Sequence, residues 1–137
     1  MRRYSGQAAG VRAKRQWLCN KCLHTFNDAV KQCPLCGGHG IEYFQSKREL
    51  TRWRELLLLQ GAGHITKLRR QIKFEFAGED GRALHTPGGN TMTHVVDFSF
   101  YRDGQLIYED SKGVDTELGY LKRELVRYFH DVTIRLT

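Results

Sequence analysis

The sequence predicts an α+β or α/β core, in which helices cover a small mixed sheet, behind a compact cysteine-bearing module. Three observations predict it. The four cysteines, Cys19, Cys22, Cys33 and Cys36, form two C-x₂-C pairs separated by ten residues. Past residue 45, the apolar pattern runs helix, strand, hairpin, helix, strand. The net charge of +7 is confined to the first third: residues 1–48 carry nine Lys and Arg against two acids, and the rest carries thirteen of each. At 137 residues the chain suffices for one ordinary domain or a module plus a core. Its longest unbroken apolar run, Leu56 to Leu59, is far short of a membrane span.

Residues 1–16 hold Arg2, Arg3, Arg12, Lys14 and Arg15 among Gly, Ala and Ser, and read as a flexible basic arm able to track phosphates. Residues 17–44 read as a zinc ribbon. No apolar leader opens the chain, so a cytoplasmic location is expected and disulfides are disfavoured. Each C-x₂-C turn offers two thiolates, and four close the tetrahedral shell of one structural Zn²⁺. The flanks Cys19-Asn20-Lys21-Cys22 and Cys33-Pro34-Leu35-Cys36-Gly37-Gly38 are turn-rich, and Trp17, Leu18, Phe26 and Tyr43 supply short strands. His24 and His39 read as surface residues, since the four sulfurs suffice.

Residues 45–137 form the core. Leu50, Trp53, Leu56 and Leu57 recur at helical spacing from an N-cap at Ser46 to a stop at Gly61 or Gly63. Ile72, Phe74 and Phe76 alternate with Lys73 and Glu75 as in a strand, and residues 77–91 read as a loop. Two strands, Met92–Tyr101 and Leu106–Lys112, flank a hairpin turn at Asp103-Gly104. A helix over Glu117–His130 and a strand over Val132–Leu136 close the chain.

With Asp103-Gly104 at the tip, Asp97 falls opposite Asp110. Facing carboxylates repel across a ladder, and a divalent cation would turn the pair into ligands. Lys112 leaves the same face as Asp110. Two carboxylates that hold Mg²⁺, with a lysine beside them, suit phosphodiester hydrolysis. The bland alternative is a hairpin with a charged solvent face. Glu49 shares the stripe of Trp53 and Leu56 on the first helix, as a capping-box partner of Ser46, a metal ligand, or both. Lys122 shares a stripe with Leu118, Leu125 and Phe129, where it either snorkels outward or serves the site.

Residues 46–136 resemble the PD-(D/E)XK nuclease fold, and in particular a small phage and bacterial group long filed as a domain of unknown function. The resemblance is carried by Ser46-Lys47-Arg48-Glu49-Leu50, Gln71-Ile72-Lys73-Phe74, Val96-Asp97-Phe98, Tyr108-Glu109-Asp110-Ser111-Lys112-Gly113, Thr116 and Tyr120-Leu121-Lys122. The sequence departs from the pattern at Val96, where the family often has proline. The resemblance implies a restriction-endonuclease-like mixed sheet flanked by helices. It implies Asp97, Asp110 and Lys112 as the catalytic triplet, Glu49 as an additional acid, and Lys122 as a basic residue at the scissile phosphate.

The expectation is a Mg²⁺- or Mn²⁺-dependent DNA endonuclease with branched DNA among its candidate substrates. Glu49, Asp97 and Asp110 would hold the metal, while Arg2, Arg3, Arg12, Lys14, Arg15, Lys21 and Lys31 would grip DNA. The resemblance also brings a homodimer into view, and the bacterial host cytoplasm if the chain is phage-encoded. Two rivals stand beside it. One is a non-catalytic zinc-ribbon nucleic-acid binder. The other is an HNH-type nuclease using His85, Asn90 and His94.

Overall fold

The computed structural model describes residues 15–137. Arg2, Arg3, Arg12 and Lys14 of the expected arm lie outside them. The chain divides into two compact units, residues 1–54 and residues 55–137.

In the first unit, β1 (Gln16–Cys19) is the middle of a three-stranded antiparallel sheet, with β2 (Thr25–Phe26) on one side and β3 (Ile41–Phe44) on the other. These are the short strands that Trp17, Leu18, Phe26 and Tyr43 predict. Helix α1 (Lys47–Gly61) follows, with Ser46 Oγ accepting the N–H of Glu49 at 3.4 Å as an N-cap does. Leu18, Phe44, Leu50 and Trp53 are buried. The boundary between the units falls inside α1 rather than at its start. The reason is visible in two bonds: Trp53 Nε1 donates to Asn20 Oδ1 at 2.9 Å, and Arg54 Nη2 donates to the Leu23 carbonyl at 3.2 Å.

The second unit is a four-stranded mixed sheet in the order β4-β5-β6-β7, formed by β4 (Thr66–Glu75), β5 (Thr93–Arg102), β6 (Gln105–Asp110) and β7 (Ile134–Leu136). The first three strands are antiparallel, and β7 runs parallel to β6. A parallel neighbour needs a crossover, and α2 (Glu117–His130) supplies it. Thr116 caps α2 by accepting the Gly119 N–H at 3.1 Å, and Asp131 ends it in the left-handed region. Ile72, Phe76, Val96, Val126 and Ile134 form a buried cluster, with Phe74, Tyr108, Leu125 and Phe129 packed against it.

The hairpin matches its sequence signature. Asp103 and Gly104 both take positive φ, 51° and 76°, as the two-residue turn with the right twist requires. The register pairs Phe98 with Glu109 and Ser99 with Tyr108, as the turn position dictates. Other bounds differ from the sequence pattern. Strand β4 begins at Thr66, six residues before the alternation at Ile72. Its first half carries a register shift between Thr66 and Arg69, and its half-buried positions are Leu68 and Arg70, so a charged residue stands where an apolar alternation would show. Strand β6 ends at Asp110, so Lys112 lies past it, although its N–H still reaches the Thr137 carbonyl at 3.1 Å. The 77–91 loop carries two isolated bridges, Ala77 with Ala83 and His85 with Thr91.

The buried cluster sets the stability of the second unit. Phe76→Ala is expected to destabilise it by about 3–5 kcal/mol. Val95→Ala, at a side chain 40% exposed, should change stability by no more than about 0.5 kcal/mol. Urea denaturation of the two variants checks the contrast.

Candidate functional site

The cysteine knuckles are built by two equivalent turns. The Leu23 N–H bonds the Cys19 carbonyl at 2.8 Å, and the Gly37 N–H bonds the Cys33 carbonyl at 2.9 Å. Leu23 and Gly37 both take positive φ, which folds each chain end back over its pair of sulfurs. Gly38 is required for a different reason: a Cβ there would sit 3.2 Å from Cys36 Sγ and 3.4 Å from Cys19 Sγ. The four Sγ atoms all lie within 4.8 Å of one another. Cys19 to Cys36 and Cys22 to Cys33 each measure 3.6 Å. A tetrahedron with Zn–S bonds of about 2.3 Å has edges of about 3.8 Å. The cluster is therefore compatible with one structural zinc-type site.

Charge explains why the cluster wants a cation. Burial alone would push the Cys19 thiol up, but bonds from the N–H groups of Cys22 and Lys21 and from Cys36 and Cys22 bring it down to about 7. The His24 N–H favours the Cys22 thiolate, but burial and the three neighbouring sulfurs outweigh it and push that thiol up to about 12. One sulfur ionises readily and another resists, because adjacent thiolates repel. A bound divalent cation removes that penalty.

Asp97 and Asp110 meet at the end of the β5–β6 ladder. The last paired residues are Phe98 and Glu109. Beyond them, the Asp97 N–H donates to Asp110 Oδ1 at 3.0 Å, and the Ser111 N–H donates to Asp97 Oδ2 at 2.8 Å. Each carboxylate thus binds the backbone of the other strand and takes a place a ladder bond would have held. Asp110 is fully buried, and its second oxygen lies 3.0 Å from His94 Nε2. On β4, Gln71 lies between the pairs Arg70 with Phe98 and Ile72 with Val96, where its counterpart on β5 is Asp97. Gln71 takes φ 54°, a strained backbone beside the acidic pair.

A cleft of about 380 Å³ lies next to this pair, lined by Thr93, His94, Lys112, Thr116, Gly119 and Lys122 among others. Lys112 and Lys122, ten residues apart in sequence, share it. Neither Asp97 nor Asp110 lines the cleft, but His94, the partner of Asp110, does. Lys122 is half-buried and lines the cleft, while Leu118 on its stripe is 61% exposed.

The other expected residues are placed as follows. Glu49 is in the first turn of α1 and belongs to the first unit, half-buried, with its N–H on Ser46. Arg15, Lys21 and Lys31 are exposed in that same unit. Among the described residues, the four sulfurs are the one group of three or more His, Cys, Asp or Glu side chains that gathers within 4.8 Å. His85, Asn90 and His94 are in the second unit, and the cysteine knuckles are in the first.

Two participants escape the sequence pattern. His94 enters it only as a member of a different catalytic scheme. Glu109 leaves the opposite face of β6 from Asp110, is fully buried and is held by the Arg135 guanidinium, which also sits 5.9 Å over the Phe100 ring. One signal was available. Adjacent acids in a strand leave opposite faces, so if that strand is central, both are buried and both need partners.

A family model described as "Protein of unknown function (DUF1064)" matches residues 39–137. No curated protein and no solved structure matches the chain. No helix among the described residues is long and apolar enough to cross a membrane.

Two outcomes are expected. The purified chain should hold one zinc, Cys33→Ser should lose it, and acid should release it as protons compete with the metal for the thiolates. Metal analysis across a pH series measures this. Arg135→Ala should destabilise the second unit by about 3 kcal/mol by removing the guanidinium that compensates a buried charge. Glu109→Gln in the same chain should recover much of the loss, as a double-mutant cycle in urea would show.

Proposed function

The chain belongs to the DUF1064 family, and from the paired aspartates of its second unit we propose that it is a divalent-metal-dependent DNA endonuclease with a PD-(D/E)XK-type site. One observation carries the reading. Reciprocal backbone bonds at 3.0 and 2.8 Å hold Asp97 and Asp110 side by side, and His94, bonded to Asp110, lines a cleft that Lys112 and Lys122 share. Glu49 belongs to the other unit, and the reading rests on these four residues without it.

The donor set fits a hard cation. Carboxylate oxygens are the ligands Mg²⁺ and Mn²⁺ prefer. Each oxygen has two acceptor positions, so Asp110 keeps capacity beyond the Asp97 N–H and His94. Asp97 and Asp110 would hold the ion, which when bound would supply positive charge to the phosphate and a more acidic water. His94 fixes the orientation of the Asp110 carboxylate through its Nε2. Lys112 places an ammonium where it can position the attacking water or offset charge developing on the phosphate oxygens. Lys122, from α2, offers a second cation to the same cleft and would contact the phosphate. The basic first unit would add affinity for the DNA backbone rather than sequence choice.

The test is nicking of supercoiled plasmid, linear duplex and a four-way junction, with Mg²⁺ or Mn²⁺. The parent is expected to cut at least one of them. Asp110→Asn and Lys112→Ala should each reduce the rate by at least about 10²-fold. If no substrate is cut while DNA is bound, the chain is a non-catalytic zinc-ribbon binder. An Asp97→Ala chain that stays active while His94→Ala is dead would favour the HNH-type scheme.

A further inference from the structure

The register of the first unit aligns three aromatic side chains. Trp17 on β1 pairs with Phe26 on β2 and with Tyr43 on β3. Residues opposite one another share a face, so the three rings form a row across the sheet. The Trp17 and Tyr43 centroids are 5.2 Å apart with planes at 49°, so the two rings do not stack flat on each other. His24, two residues before Phe26, places its ring 5.2 Å from that of Phe26 and extends the row.

This row is not the interior of the unit. Leu18 and Phe44 alternate with Trp17 and Tyr43, leave the other face and are buried. Tyr43 is 41% exposed, His24 is exposed, and Trp17 and Phe26 are half-buried. A small unit that buries its aliphatic face while leaving aromatic rings at the surface presents them to something flat.

Charge identifies what that is. Residues 1–54 carry eleven Lys and Arg against three acids, a net charge of +8. Residues 55–137 carry eleven against twelve, a net charge of −1. Arg15, two residues before Trp17, is exposed, as are Lys21 and Lys31. Flat rings within a strongly cationic unit match a polyanion with exposed π-faces. A duplex has already covered the faces of its bases by stacking them on one another, and an unpaired strand has not.

We propose that Trp17, Tyr43 and Phe26, extended by His24, are a stacking platform for unpaired bases of a single-stranded nucleic acid. The first unit then distinguishes single strands from duplex without reading their sequence. Catalysis in the second unit is not required for this, and the two ideas share only the nucleic-acid partner.

The zinc-loaded full chain, without added Mg²⁺ so that cutting plays no part, is titrated with three probes. These are oligothymidylate of about 12 nucleotides, the duplex it forms with oligodeoxyadenylate, and oligouridylate. One single strand should bind about tenfold more tightly than the duplex and quench tryptophan fluorescence. The quench belongs to Trp17, because Trp53 is only 5% exposed. Trp17→Phe should abolish the quench and keep most of the affinity. Tyr43→Ala should weaken single-strand binding about tenfold, leave duplex binding unchanged and retain its zinc. Tighter binding of oligouridylate would assign the platform to RNA, and of oligothymidylate to DNA. Equal affinity for single strand and duplex, absence of quenching in the parent, or a zinc-loaded Tyr43→Ala chain with parental affinity would each overturn the proposal.

Discussion

Two adjacent carboxylates buried in a central strand are the constraint around which the second unit is arranged. Glu109 and Asp110 leave opposite faces of β6, and both are fully buried. An isolated charge in such a place is strongly disfavoured, so each must have partners. On one face Arg135 comes from β7, paired in parallel with β6. On the other, His94 and the Asp97 N–H come from β5. The two neighbouring strands therefore contribute more than ladder bonds. They bring the compensating groups, and the sheet order β5-β6-β7 is the order that lets both arrive.

The same arrangement explains why the acidic pair sits where regular pairing stops. A ladder satisfies backbone groups with backbone groups. Past Phe98 and Glu109, the carboxylates of Asp97 and Asp110 take over as acceptors. Beside them Gln71 of β4 takes the left-handed region, a conformation that raises a non-glycine residue by about 1 kcal/mol. A sheet optimised only for stability would continue its pairing here. Departures of this kind concentrate where side chains are held for chemistry.

The first unit solves a different problem. A few dozen residues cannot bury enough apolar surface to hold themselves together. Leu18, Phe44, Leu50 and Trp53 give it a small interior, and four converging sulfurs suit a metal crosslink. Crosslinking by metal would release the sheet surface from structural duty, so that aromatic rings could stand there.

Local patterns were legible because local physics fixes them. Each C-x₂-C spacing sets its own two sulfurs close together, Asp103-Gly104 fixes the turn and through it the hairpin register as far as Phe98 with Glu109, and Ser46 starts the first helix. None of these needs a distant residue. The early start of β4, the boundary of the units within α1, and the partners of the buried acids were not legible. The first half of β4 places Arg70 at a half-buried position and shifts register, which hides the alternation, and the boundary follows from the bonds of Trp53 and Arg54 to residues more than thirty positions earlier. His94 and Arg135 acquire their roles only when β5 and β7 flank β6, because the need to compensate a buried charge appears only once tertiary packing has excluded water from it.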